Sequence, residues 1–177
     1  MATAADHIAT YIRAKDENRP HLMASAFAPG AQLTMDVKTD AISFPSQSDG
    51  RDAITRVLVQ DFGKTYENVY TFCLTEPPQR TAAEFSCDWL VGMSAKADGA
   101  VRVGCGRYDW RFETTAPHLV SELRITIEAM LVLPASALGT VMPWLSSIPY
   151  PWFDAGRMRE AMPQIEALEP VRRYLSR

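Results

Sequence analysis

Apolar residues along the first third of the chain recur at helical spacing. Ile8, Tyr11, Ile12 and Lys15 form one stripe at i, i+3, i+4 and i+7, and Thr3 with Asp6 three residues later reads as a capping-box start. Leu22, Met23, Ala26 and Phe27 predict a second, shorter helix over residues 19 to 28, stopped by Pro29-Gly30. "GAQLTMDVK", residues 30 to 38, then alternates polar and apolar positions and predicts a strand. After a polar loop, "SDGRDAITRVLVQDFG" predicts a third helix, with Ser48 or Asp49 as cap, Ile54, Val57, Leu58 and Phe62 as the buried face, and Gly63 as the stop.

From Tyr66 onward the period changes to two. Four long antiparallel strands are predicted, over roughly 67 to 76, 82 to 96, 100 to 114 and 119 to 133, with Asp98-Gly99 as a tight turn between the middle pair. Phe85, Cys87, Trp89, Val91 and Met93 share one face of their strand, as Tyr108, Trp110 and Phe112 do in the next and Leu123, Ile125 and Ile127 in the last. Val101, Val103 and Cys105 have the opposite parity to Tyr108, so "GCG" at 104 to 106 is expected to hold a bulge that shifts the register by one. Helices followed by such a sheet make an α+β chain, with the helices covering one sheet face.

Beyond Pro134 the pattern breaks. "MPWLSSIPYPWF" holds three prolines and four large aromatics in twelve residues, and a helix-like segment follows it. Prolines remove ladder donors, so this part cannot extend the sheet. The expected organisation is one domain over 1–133 and an extension over 134–177 that packs on the domain or on a partner subunit, as a lid or an interface.

Composition narrows the classes of function. With 47% apolar and 22% charged residues the 177-residue chain is of globular type. Its net charge of -3, without a basic cluster, argues against a nucleic-acid surface. No apolar run reaches the roughly 18 residues of a membrane helix, and the first residues contain no signal-peptide core, so no membrane association and a cytoplasmic location are expected. Cys73, Cys87 and Cys105 are widely spaced within apolar strands and read as buried thiols. No two of the three histidines, His7, His21 and His118, have ligand spacing, and all three are expected at the surface; no metal and no cofactor is expected.

The order of elements, with "ATYIRAKDENRPHLMASAFAPGAQLTMD", "GRDAI" opening a helix, and "GRYDWRF", resembles the nuclear transport factor 2-like superfamily over roughly residues 5 to 133. Within it, the SnoaL-like domains, polyketide cyclases and ketosteroid isomerases are the nearest in pattern. The resemblance implies a cone in which three N-terminal helices and a curved antiparallel sheet enclose an apolar cavity, often in a homodimer formed through the sheets. It also implies binding of a small hydrophobic molecule, with cofactor-free isomerase, cyclase or dehydratase chemistry as one use and a non-catalytic interaction module as the alternative.

Candidate site residues follow from that comparison. Aligned without gaps, Tyr11 falls at the isomerases' oxyanion tyrosine, Tyr108 at their acid donor, and Met35 at their catalytic base, one residue before Asp36. As an enzyme, the chain would use Asp36 as general base, with Tyr11 and Tyr108 donating to a substrate oxygen; by strand parity Asp36 reads rather as a solvated or capping residue opposite Leu33, Met35 and Val37. Phe27, Phe85, Trp89, Trp110, Ile125 and, from the extension, Trp144 are the expected ligand-contacting walls. "RYD" at 107 to 109 with Asp88 resembles the Asp-Arg-Asp set of the family's epoxide hydrolases, and reads otherwise as an ion-pair ladder on the outer sheet face.

Overall fold

The structure is a computed structural model describing residues 1–177. Helix α1 (Ala4–Asp16) starts on the expected capping box: the Thr3 hydroxyl accepts from the Asp6 amide, and the Asp6 carboxylate accepts from the Thr3 amide at 2.7 Å. A 3-10 turn, Pro20–Ser25, replaces the expected second helix, because strand β1 (Phe27–Val37) begins three residues earlier than its alternation suggests. Residues Gln47–Asp49 form a short strand, β2, so Ser48 and Asp49, expected to cap the third helix, lie in the sheet and Gly50 takes the cap position. Helix α2 (Arg51–Thr55) continues through a π-helical segment, Arg56–Asp61, into α3 (Phe62–Thr65), and β3 (Tyr66–Cys73), β4 (Glu84–Ala95), β5 (Val101–Phe112) and β6 (Val120–Leu133) complete the sheet.

The six strands lie in the order β2-β1-β6-β5-β4-β3. The meander β3 to β6 is antiparallel as expected, but β1 runs parallel to β6, so the sheet is mixed. The inner face, the α1 helix and the 51–65 helical run enclose a core that includes Tyr11, Phe27, Trp110 and Leu123, all at most 1% exposed. Each such side chain taken from water contributes about 1.5–3 kcal/mol.

The expected bulge lies elsewhere. Strand β5 keeps one parity throughout: it is β6 that has an extra residue, Glu128, since Cys105 pairs with Ala129 and Gly106 with Ile127. Val101, Val103 and Cys105 therefore face away from the cone, where a second core receives them. That core is built by the extension, whose helices α4 (Leu138–Ser146), α5 (Ala155–Ala161) and α6 (Glu169–Tyr174) supply Val141, Trp144, Leu145, Met158 and Val171. Burial there pushes the Cys105 thiol up to about 12. All three cysteines are buried thiols.

The extension also covers the sheet's edge at β3. Cys73 donates its amide to Pro151 O at 2.7 Å, and Phe153 donates back to Cys73 O at 3.0 Å. An uncovered edge strand would present unpaired donors and acceptors.

Two glycines permit these packings. A Cβ on Gly106 would lie 1.9 Å from the Thr126 carbonyl oxygen, whereas one on Gly92 would meet the Leu145 side chain, with Cδ1 at 2.0 Å. The first obstacle is backbone and the second a rotatable side chain. Gly106→Ala should therefore destabilise more than Gly92→Ala, whose overpacking costs about 1–3 kcal/mol; urea unfolding should show this order, and Leu145→Ala should relieve the Gly92→Ala variant alone.

Candidate functional site

The cone holds a small apolar cavity, about 50 Å³, between α1, the 51–65 helical run and the inner sheet face. A helical step of four residues puts Tyr11 and Lys15 on the same side of α1, and both line the cavity together with Thr71 of β3, Trp89 of β4, Tyr108 of β5 and Ile125 of β6. Met35, Met93 and Met130 form much of the remaining wall. Methionine is flexible and polarizable, so such a wall repacks at little cost. Outside lies a vestibule of about 330 Å³, and Ile42, Phe44 and Phe62 line both spaces. Residues 39 to 45, which carry Ile42 and Phe44, make a single hydrogen bond to the rest of the protein, from Arg102 Nη1 to the Ala41 carbonyl.

One wall of the cavity is polar. Lys15 Nζ donates to Asp16 Oδ1 and to Thr71 Oγ1, both at 2.7 Å, and stands 4.8 Å from the Phe62 ring centroid. Thr71 Oγ1 in turn donates to Asp16 Oδ1 at 2.8 Å, and the Thr71 amide donates to Asp16 Oδ2 at 2.7 Å. Tyr150 Oη, from the extension, completes the set with a 2.8 Å bond to Asp16 Oδ2. Asp16 thus accepts four hydrogen bonds with its side chain only 3% exposed, and Lys15 beside it is 7% exposed. A buried pair of this kind persists only when its remaining lone pairs and protons are satisfied. An ammonium has three donors, and two of those on Lys15 are engaged.

The tyrosines behave differently. Burial pushes the Tyr11 phenol well above the ordinary tyrosine value, with the Asp16 charge adding to it, and burial does the same to Tyr108. Both therefore remain protonated donors. Tyr11 Oη has no hydrogen-bond partner within the protein although it is fully buried, and Trp89 Nε1 is in the same condition. The Tyr11 ring packs edge-on against Phe27, Tyr108 and Trp110 at 5.6, 6.3 and 5.5 Å.

Four residues expected from the sequence, Tyr11, Tyr108, Trp89 and Ile125, meet at this cavity. The others do not. Asp36 is exposed on the outer face, while its neighbour Met35 lines the cavity, because β1 stays regular from Gln32 to Val37 against β6. Trp144 is on the opposite side of the sheet in the second core, since the extension packs there and not over the mouth. Phe27, Phe85 and Trp110 pack within or against the inner core without lining the cavity. His7 is buried, not at the surface: its ring nitrogens lie 2.9 and 3.0 Å from the carbonyl oxygens of Ser25 and Pro117 and join α1 to two loops.

The Arg107 set stays outside as well. Arg107 bonds Asp109 at 3.1 Å with both side chains substantially exposed, and Asp88 accepts from Tyr174 Oη at 2.9 Å. No group of three or more His, Cys, Asp and Glu side chains is arranged to hold a metal ion. No helix is long and apolar enough to cross a membrane.

An α+β cone with helices on the concave face of a curved mixed sheet, and an interior cavity, defines the class. Its fold is that of the nuclear transport factor 2-like proteins, as comparison with solved structures shows. A superfamily member from Salmonella enterica serovar Typhimurium is similar at a TM-score of 0.55 and 18% identity, over 71% of this chain and 88% of that one. A protein with the ketosteroid isomerase-like fold from Catenulispora acidiphila, in complex with trimethylamine, matches at a TM-score of 0.52 and 14% identity, over 68% and 83%. A computationally designed 17-OHP binder matches at 0.52 and 13%, over 70% and 92%. No family model and no curated protein sequence matches the chain.

An unpartnered buried hydroxyl costs stability unless something accepts its proton. Tyr11→Phe should accordingly leave the protein as stable as before or more stable by about 1 kcal/mol, whereas Asp16→Ala, which strands Lys15, should cost about 3–5 kcal/mol. Chemical denaturation of the two variants measures both.

Proposed function

We propose that this protein binds a small, largely apolar molecule through a single hydrogen-bond acceptor, such as a carbonyl oxygen. The observation that carries the reading is the one-sided polarity of the cavity. Its polar lining is Tyr11, Lys15, Thr71 and Tyr108, and the uncommitted Tyr11 hydroxyl and third Lys15 proton each have a hydrogen to donate. A ligand oxygen placed among them satisfies Tyr11 Oη and the free Lys15 proton together, in surroundings where hydrogen bonds are strong because water is excluded. The fold neighbours, one in complex with trimethylamine and one designed as a 17-OHP binder, are consistent with a ligand-binding use of the cone.

Binding suits the geometry better than proton transfer by a carboxylate base. No carboxylate lines the cavity; Asp61, at the vestibule, is exposed and paired with Lys64 at 3.1 Å, and Asp16, the nearest one along α1, is saturated by its four donors. Tyr11, Tyr108 and Lys15 can polarise a carbonyl, which is the donor half of isomerase-type chemistry. The cavity alone is smaller than the roughly 300–1,000 Å³ of small-molecule sites, while the vestibule reaches that range, so the ligand occupies both by displacing Ile42 and Phe44.

We also assign a homodimer contact to the part of the outer face left free by the extension, where Gln32, Thr34, Glu84, Arg111 and Glu122 border an open polar hollow. Paired Arg111–Glu84 and Arg111–Glu122 contacts there, at 3.2 and 3.6 Å, can exchange partners between two copies. Sedimentation equilibrium should give a dimer that weakens with salt, and a monomer at every concentration would remove this contact.

The ligand reading is tested with acetophenone and α-methylstyrene, which differ by C=O against C=CH2, titrated into the protein and followed by NMR. The ketone should bind more tightly. Tyr11→Phe should weaken the ketone by about fivefold to tenfold, the worth of one hydrogen bond, and Asp36→Asn should change neither affinity. Equal binding of both compounds would remove the hydrogen-bond acceptor from the reading, binding of neither would leave the cone as a packed interaction module, and loss of ketone binding in Asp36→Asn would return the base to Asp36.

A further inference from the structure

We infer that Tyr150, in the C-terminal extension, is a positioning residue for the ligand site: through Asp16 it holds Lys15 at the cavity wall, so the extension completes a site it does not touch. The inference rests on the ligand reading above. Tyr150 does not line the cavity. Its hydroxyl lies 2.8 Å from Asp16 Oδ2, the same carboxylate whose Oδ1 receives Lys15 Nζ and Thr71 Oγ1.

The chain of contacts is short and fully specified. Asp16 stands between two spaces: Lys15 and Thr71 face the interior cavity, while Asp16 and Tyr150 border an open groove on the outside, beside Glu17, Asn68 and Tyr70. On the inner side, Lys15 and Thr71 fix Oδ1. On the outer side, the Thr71 amide and Tyr150 fix Oδ2. Without Tyr150 Oη the carboxylate would have one unoccupied oxygen position next to water, and could rotate toward it. Lys15 would follow its counter-ion, because a buried ammonium separated from its carboxylate is costly. The donor would then leave the position where a ligand oxygen meets it.

Tyr150 is itself held firmly for a residue that is 43% exposed. Its ring packs edge-on against Phe72 at 5.8 Å, and the next residues are bonded to the β3 edge through Pro151 O and the Phe153 amide. Burial of the hydroxyl, together with the Asp16 charge, pushes its pKa far above the ordinary tyrosine value, so the group stays a donor.

Tyr150→Phe keeps the ring against Phe72 and deletes only the hydroxyl. The quantity to measure is the preference for acetophenone over α-methylstyrene. In the wild type the ketone should be preferred, and in Tyr150→Phe that preference should fall about threefold to tenfold while α-methylstyrene affinity stays unchanged, as expected for loss of one well-placed donor. Thr71→Val, which keeps the amide bond to Asp16 Oδ2 and removes the Oγ1 contacts to Asp16 and Lys15, should reduce the preference in the same way. Independently of any ligand, the ¹⁵N-lysine ammonium resonance of Lys15, assigned by its loss in Lys15→Met, should shift and exchange faster with water in Tyr150→Phe. Equal weakening of both compounds, or an unchanged Lys15 resonance, would overturn the inference and leave Tyr150 a structural contact. A wild type without ketone preference would overturn the ligand reading, and the Lys15 resonance would still decide the coupling.

Discussion

A strand shows its side chains alternately to two sides, so a sheet covered on both sides by different parts of one chain must hold apolar residues in both registers. That constraint organises this molecule. The cone needs Trp89, Tyr108, Trp110, Leu123 and Ile125 on the inner face, and the C-terminal extension needs Leu90, Val101, Val103, Cys105 and Leu133 on the outer one. Strand β5 meets both demands without changing parity, by being apolar inside along one half and outside along the other. Strand β6 meets them with the extra residue Glu128, which moves Met130 to the inside after Ile127. Where the extension ends, the outer face becomes the charged ladder of Arg107, Asp109 and Arg111.

The same constraint decides what could be read without coordinates. Period-two runs located all four long strands to within a few residues, because each has at least one face in a core throughout. "GCG" misled because a change of apolar parity has two physical causes, a bulge or a second cover, and only the packing of residues far along the chain separates them. Gly106 is there for closeness to the Thr126 carbonyl, and Gly92 for Leu145. The parallel pairing of β1 with β6 was hidden as well, since alternation says which face is buried and nothing about the neighbour.

The candidate site was legible in proportion to how local it is. Tyr11, Trp89, Tyr108 and Ile125 follow from the stripe of α1 and the inner face of the sheet. Asp36 lies on the outer face for the reason its parity already contained: one step along a regular strand is a change of side. The polar wall could not have been found that way. Lys15 bonds Thr71 across 56 positions and Asp16 bonds Tyr150 across 134, and no pattern in the sequence links them. A lysine on the apolar stripe of a helix was the one visible sign, since a charge on that face requires a partner buried with it.

That partner arrangement explains why the polar wall faces inward at all. Aligning Lys15 with Tyr11 on α1 puts an ammonium into an apolar core, which is tolerable only because Asp16 follows it directly and Thr71 receives both. Asp16 in turn points to the outside of the cone, where α1 alone offers it no donor. Its fourth hydrogen bond comes from a segment that also covers the β3 edge and leads into α5. The extension therefore serves three physical needs of the cone at once: it hides an edge, buries an outer apolar face, and holds the carboxylate on which the interior charge depends.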